Sequence, residues 1–528
     1  MEPISASLVF VILCLLLMPC VPVMHANRRA IAMRRVVTCL VGVELLLALA
    51  LGTLYITYQS PPLTTQLFQV LPEGGINFSI FYDGATGLML LLVAFVGFVV
   101  SRFSIRYLDG EATQGKYFRW LSFTIGAVSL MVIAGNLLLF FAAWVMTSLG
   151  LHQLLLHYSH RAAAHRAAWT KFAISRLGDF FLITAFVLIH QTYGTFELAS
   201  LFAQAKGVAS ASSNVETHAA IAWLLMLGAV TKSAQFPFHV WLPDTMETPT
   251  PVSALMHAGI VNAGGYLVIR MSPLLTLVPE VMLTLAVVGA FTACFAGVVM
   301  MTQPSVKRAL AYSTVAQMGF MMLQCGLGIF AAAMLHIVAH SLYKAYAFLT
   351  SGSVIVQSQA VSGAASAERN SRFNYAALAV AAVATAISCF AVLPALGINF
   401  LAKPGGFALA IILCLAVTTW GWRMLSLQRR DVALIAAAGM TGLCLTYAGG
   451  YIAVAHILQP TVPAPQLATP APWVFIAIAG AFCALFALHL LIRGRVRASL
   501  LWALRVHAVN GFYIDNLYHR VFASWQKS

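Results

Sequence analysis

The stretch LGAVTKSAQFPFHVWLPD, residues 227–244, decides how this chain reads. An apolar run carries Lys232 about thirteen residues into its segment, and Pro237 follows shortly after. Proline has no backbone N–H and breaks a helix. An ionisable side chain at membrane depth costs about 3 kcal/mol or more, so Lys232 needs a reason to be there. Broken helices at that depth are tolerated where they line a hydrated cavity, and transporters build ion sites from them. Burial disfavours the charged form of an amine, so such a lysine can load and release a proton at ordinary pH. The rival reading is a lysine snorkelling to an interface, and Lys232 lies deeper than that reading accommodates comfortably.

The rest of the chain supports a membrane setting. Of 528 residues, 61% are apolar and 9% are charged, whereas a soluble domain is about a quarter charged. A span needs about 20 apolar residues. Segments of that kind lie near 4–24, 36–58, 84–101, 119–134, 136–157, 172–191, 219–241, 252–270, 280–302, 308–326, 329–355, 375–398, 406–422, 432–457 and 472–492. The expectation is an all-α, polytopic membrane protein of about 15 transmembrane helices. The first segment lacks a basic leader and reads as a span rather than a cleaved signal peptide. With the N-terminus periplasmic, the loops at 25–35, 101–119, 158–171, 303–308, 369–372 and 423–430 and the C-terminal tail face the cytoplasm and hold 24 of the 30 Lys and Arg. The opposite loops hold Lys206, Arg270 and Lys403. That bias obeys the positive-inside rule and explains the net charge of +15 without nucleic acid. The nine cysteines stand singly with no clustered His/Cys set, so no metal site or other cofactor is expected. The tail from Arg493 mixes Arg with Leu, Trp and Phe, as an interfacial amphipathic helix or a docking segment would.

Other polar residues fall inside the apolar segments. HIVAHSLYKAYAFLTSGS, residues 336–353, puts His336, His340 and Lys344 at i, i+4 and i+8, on one helix face and about 6 Å apart along the axis. Imidazoles titrate near neutrality, so the stripe could pass protons. A metal reading of the histidine pair lacks a third ligand, and Lys344 would repel the cation. In ISRLGDFF, Arg176 and Asp179 are three apart and can pair, either as structure or as function. Glu44 has no obvious partner. His152 and His257 are single histidines on apolar helices, a pattern more common for packing residues than for relays.

The stretch 231–259, with ISRLGDFF, VKRALAYSTVAQMG (306–319) and 336–353, resembles the proton-conducting membrane transporter family. That family includes the antiporter-like subunits of respiratory NADH–quinone oxidoreductase and the Mrp sodium/proton antiporters. The resemblance covers about residues 136–355. It implies two inverted-topology repeats, here 119–270 and 280–424, between N-terminal helices (1–118) and C-terminal helices with an amphipathic tail (425–528). It also implies a proton path through Lys232, His257, His336, His340 and Lys344, with Arg176 and Asp179 on family positions.

Two departures stand out. The family's Trp-Glu, whose glutamate partners the broken-helix lysine, reads Trp144-Val145 in NLLLFFAAWVMTSLG. The late broken helix, which carries a lysine in the family, reads CFAVLPALGINFLAKPGG, with Lys403 displaced. Candidates for the missing charge at Lys232 are Asp179, Asp244, Glu247 and His152. METPTPVSALMHAGIVNAGGYL (246–267) and the NGFYID-containing tail look most like the membrane subunits of DAB-type inorganic carbon accumulation complexes. That likeness implies cation flow driving CO2 hydration in a large soluble partner resembling a zinc-dependent β-carbonic anhydrase. This chain would itself be a transporter subunit and not an enzyme. Rival readings are a pump subunit of a respiratory or hydrogenase-linked complex, a Mrp-like antiporter, and a non-transporting membrane anchor.

Overall fold

A computed structural model describes residues 2–58, 61–69, 77–208, 215–352, 374–395, 405–426, 430–459, 461–462, 472–493 and 499–525. A helix occupies every apolar segment read from the sequence. Among the described residues, eleven helices are long and apolar enough to cross a bilayer, against about fifteen expected. The four that fall short are Gln114–Ile133, Val215–Lys232, Val306–Gly326 and Phe330–Leu349. Their apolar share is diluted by Lys, Arg, His and hydroxyl residues, which include much of the candidate path.

Helix Ala162–Tyr193 begins ten residues before its apolar window. Lys171, which the sequence places in a loop, therefore lies inside this helix and is only 2% exposed. Helix Glu2–Leu17 packs against Ala30–Thr57 and Gln114–Ile133. Glu44 is fully buried there, beside the Ser129 side chain of helix Gln114–Ile133. The segment after the second helix forms an antiparallel hairpin, β1 (Leu63–Gln69) with β2 (Asn77–Tyr82), that the sequence did not signal.

The hairpin leads into a buried ion pair. Asp83 caps helix Gly84–Tyr107 by accepting from the Thr86 amide at 2.8 Å. It also takes two hydrogen bonds from Arg270, Nη1 to Oδ2 at 2.7 Å and Nη2 to Oδ1 at 3.1 Å. Arg270 Nη2 further donates to Thr86 and to Tyr266. The sequence assigns Arg270 to an outer loop; the structure buries it, because its charge is matched by Asp83 with both side chains at 3% exposure or less.

Helices Pro279–Met300 and Val306–Gly326 are in backbone contact through glycines. A Cβ at Gly319 would strike the Ala293 amide, and one at Gly326 the Ala286 amide. Overpacking of such a seam costs about 2 kcal/mol. Gly319→Val is expected to lower the unfolding temperature in detergent, while Gly480→Ala, where a Cβ meets nothing within 4 Å, leaves it unchanged.

Helix Tyr375–Ile387 passes into a π-type turn at Ser388–Val392. Lys403 lies outside the described residues. The tail forms helices Ser499–Val509 and Ile514–Trp525, joined by a hook in which Gly511, Phe512 and Tyr513 all take positive φ. The hook docks on the chain itself. Arg308 donates to Asp515 at 3.1 Å, Gln303 to the Val509 carbonyl at 3.2 Å, and Phe512 packs 5.6 Å from Phe295.

Candidate functional site

Helix Val215–Lys232 stops at Lys232, five residues before Pro237, to which the sequence reading assigned the break. Ala234 takes a left-handed φ of 50°, unfavourable for a residue with a Cβ. The backbone then runs through short turns Phe238–Val240, Trp241–Asp244 and Thr245–Glu247 to helix Thr250–Ala258. Freed backbone groups must find partners in a buried break. The Gln235 amide donates to the Val230 carbonyl at 3.1 Å, the Phe236 amide to Thr292 Oγ1 at 3.1 Å, and Gln235 Nε2 to the Ser233 carbonyl at 2.8 Å. Pro237 has no donor to place.

A second break follows that the sequence did not reveal. Helix Thr250–Ala258 ends at Gly259, and Ile260–Asn262 forms a single tight turn before helix Ala263–Arg270. The two breaks touch, because Ser233 Oγ donates to the Val261 carbonyl at 2.7 Å.

Lys232 Nζ is turned toward helix Leu137–Leu155. It donates to Thr147 Oγ1 at 3.2 Å and to the Trp144 carbonyl at 3.3 Å, and lies 4.3 Å from the Trp144 ring centroid. That ring face is a cation site. Trp144 Nε1 donates to Asp179 Oδ1 at 3.0 Å, and Asp179 Oδ2 lies 2.6 Å from Arg176 Nη2. Arg176 and Asp179 thus pair as expected, and Asp179 is the carboxylate linked to Lys232, through the indole. Glu247 instead pairs with Arg161 at 3.2 Å on the surface. Asp244 lies toward Tyr312, and His152 donates from Nδ1 to the Ala168 carbonyl at 3.2 Å. Val145, on the same helix, is only half-buried.

The second group of polar residues gathers on helix Val306–Gly326. Thr314 Oγ1 gives its proton to the Leu310 carbonyl at 3.1 Å and so accepts from His257 Nδ1 at 3.0 Å. Lys344 Nζ donates to that same Leu310 carbonyl at 3.0 Å. His257 is stacked on Phe348 with ring centroids 4.3 Å apart. His340 lies against the His257 backbone and 5.9 Å from the His336 ring, and His336 Nδ1 meets Gln324 Oε1 at 3.1 Å. Lys344 is fully buried and His340 nearly so. The Nε2 atoms of His257 and His340 have no hydrogen-bond partner among the described residues. With Nδ1 of His257 protonated, its Nε2 is an open proton acceptor.

The stripe of His336, His340 and Lys344 therefore exists, and His257 joins it through Thr314, a hydroxyl that no charge pattern could have singled out. Lys232 makes no direct hydrogen bond to this group. Between them stands Asn262, which donates to Ser341 Oγ at 2.8 Å beside His340 and to the Ala258 carbonyl at 2.9 Å, next to the Ser233–Val261 contact.

A multi-pass helical body with lysines and histidines buried at and beside helix breaks defines an antiporter-like membrane subunit. The chain belongs to the family described as NADH:quinone oxidoreductase/Mrp antiporter transmembrane proteins, whose model matches residues 134–428, and residues 71–118 match the model for the N-terminus of complex I chain 5. It is 37% identical over 459 residues to a Halothiobacillus neapolitanus protein named "Probable inorganic carbon transporter subunit DabB2", covering 86% of this chain and 81% of that one. A Hydrogenovibrio crunogenus protein named "Probable inorganic carbon transporter subunit DabB" is 43% identical over 271 residues, about half of each chain. NADH-quinone oxidoreductase subunit L of Mycobacterium tuberculosis is 38% identical over 295 residues, 55% of this chain and 46% of that one. A chain of the Dietzia Mrp complex shares the fold with a TM-score of 0.63 at 23% identity, over 96% of this chain and 59% of that one.

Proposed function

We propose that this chain is the proton-conducting membrane subunit of an energy-coupled inorganic carbon uptake complex. It sits in the cell inner membrane with its N-terminus periplasmic and its C-terminus cytoplasmic. Two repeats, 119–270 and 280–424, carry the path, flanked by the helices of 1–118 and 425–528. The partner is a large soluble subunit resembling a zinc-dependent β-carbonic anhydrase, which hydrates CO2 to bicarbonate and a proton. The observation that carries the reading is the pair of buried lysines, Lys232 at a helix break and Lys344 on the histidine stripe, with Ser233, Asn262 and Ser341 between them. A proton leaving Lys232 enters the interior through that polar group, and the open Nε2 atoms of His340 and His257 accept it in turn on the way to Lys344. The printed names of the DabB-type relatives supply the carbon chemistry.

The test is expression with the soluble partner in a host lacking carbonic anhydrase. Growth in air is expected to be restored, to be lost on adding an uncoupler, and to require both chains, which co-purify. Rescue that ignores the uncoupler would sink the proton-driven reading. Co-purification with redox subunits instead would favour a respiratory pump, the second reading, which the 38% identity to the NADH-quinone oxidoreductase subunit supports. Against it stands Val145, which occupies the position of that family's acid.

A further inference from the structure

The path to Lys232 has a feature that its family resemblance did not supply. Helix Leu137–Leu155 meets two amines at a one-turn interval along a single face, and its own His152 follows at the next turn. Lys232 donates to the Trp144 carbonyl, Lys171 Nζ to the Ser148 carbonyl and Ser148 Oγ, both at 2.7 Å, and His152 packs at the next turn against the Ala168 carbonyl. Acceptor or ring positions 144, 148 and 152 are four residues apart, about 6 Å per step. The ladder runs from the end of the helix that carries His157 and Tyr158 to its middle, where Lys232 lies.

Lys171 is 2% exposed, and no carboxylate lies within hydrogen-bonding distance of its amine among the described residues. The charged groups facing this region are Lys232 from the broken helix, Arg176 and Asp179 further along its own helix, and His152 and His165 at the loop end. One carboxylate thus stands among several cations, and it is already paired with Arg176. Like charges about a turn apart disfavour being charged together. The hydroxyls of Ser148 and Thr147, neighbours in sequence, each touch one of the two amines.

We propose that Lys171 is a proton-carrying station that feeds Lys232, so that a pair of amines sharing a proton does here what a glutamate–lysine pair does elsewhere in the family. In the step, an N–H bond at Lys171 breaks as one forms at Lys232, with Ser148 Oγ accepting from the first amine and Thr147 Oγ1 from the second. Total charge and proton number are unchanged. His152 then reprotonates Lys171 from the loop side. The inference rests on the proton-conducting reading given above.

The test uses the full-length chain in proteoliposomes, with a potassium–valinomycin potential and an internal pH dye as the probe. Lys171→Gln keeps a donor for the Ser148 carbonyl but cannot carry the charge, and Lys171→Arg keeps charge and donors but holds its proton. Both are expected to reduce proton flux at least about tenfold with the chain still monodisperse. If Lys171→Arg or Lys171→Gln conducts at the wild-type rate, Lys171 is a structural tether and the inference fails. If Lys232→Met abolishes flux while the Lys171 variants retain it, only the station is lost and the transport reading stands. If the wild-type chain and all variants show equal leak, the transport reading itself fails.

Discussion

Replacing Lys232 with methionine is expected to abolish uncoupler-sensitive growth in air while leaving the protein in the membrane at its normal level. Methionine matches the length of the lysine stem and fills the same space against Trp144 and Thr147 without a proton to exchange. Exchanging a buried charged group for an apolar one of similar volume is often neutral or stabilising when its partners are not left as orphan charges. Here the partners are a carbonyl, a hydroxyl and an indole face, and the nearest carboxylate keeps Arg176. The structure therefore tolerates the change, and the loss falls on transport, by about a hundredfold, as removal of a proton-transfer group commonly causes. Flux measured in vesicles, beside the recovery of intact complex, separates the two effects. Full flux in the methionine variant would show that the proton goes elsewhere.

The largest effect on stability is expected at Arg270. Arg270→Met leaves the Asp83 carboxylate with no exposure to solvent and without its cation, which costs about 3–5 kcal/mol. The same loss frees Tyr266 and Thr86 from their shared donor and weakens the start of helix Gly84–Tyr107. Monodisperse protein recovered in detergent should fall several-fold. The double variant Asp83→Asn with Arg270→Met removes both charges and keeps an acceptor for the Thr86 amide, so much of the yield should return. Equal loss in the double variant would mean that the pair acts through shape and not charge.

The membrane character, the helices and an interruption close to Lys232 were legible because each follows from local composition. Apolar runs of span length declare themselves, and Pro237 marks its own break. The stripe of His336, His340 and Lys344 and the pair Arg176–Asp179 follow from helical period alone. Residues whose meaning depends on distant partners stayed hidden. Arg270 looked like a loop residue because Asp83 is 187 positions away. Lys171 sits beside a basic loop in sequence, and only the early start of its helix carries it into the interior. Thr314 has no charge to attract notice, and no proline marks the turn at Gly259 as Pro237 marks the earlier break. The acid candidates could not be ranked, since Asp179, Asp244 and Glu247 are all plausible by distance along the chain. In space, Glu247 goes to Arg161 and Asp179 to the indole of Trp144.

The contact between the two interrupted helices has a mechanical corollary. The Ser233 hydroxyl grips the Val261 carbonyl, and a side chain at Gly264 would collide with that hydroxyl and with the Ala229 carbonyl. Neither hinge has slack to swing alone. The stop beside Lys232 and the turn after His257 are clasped to one another, like the two plates of one clutch.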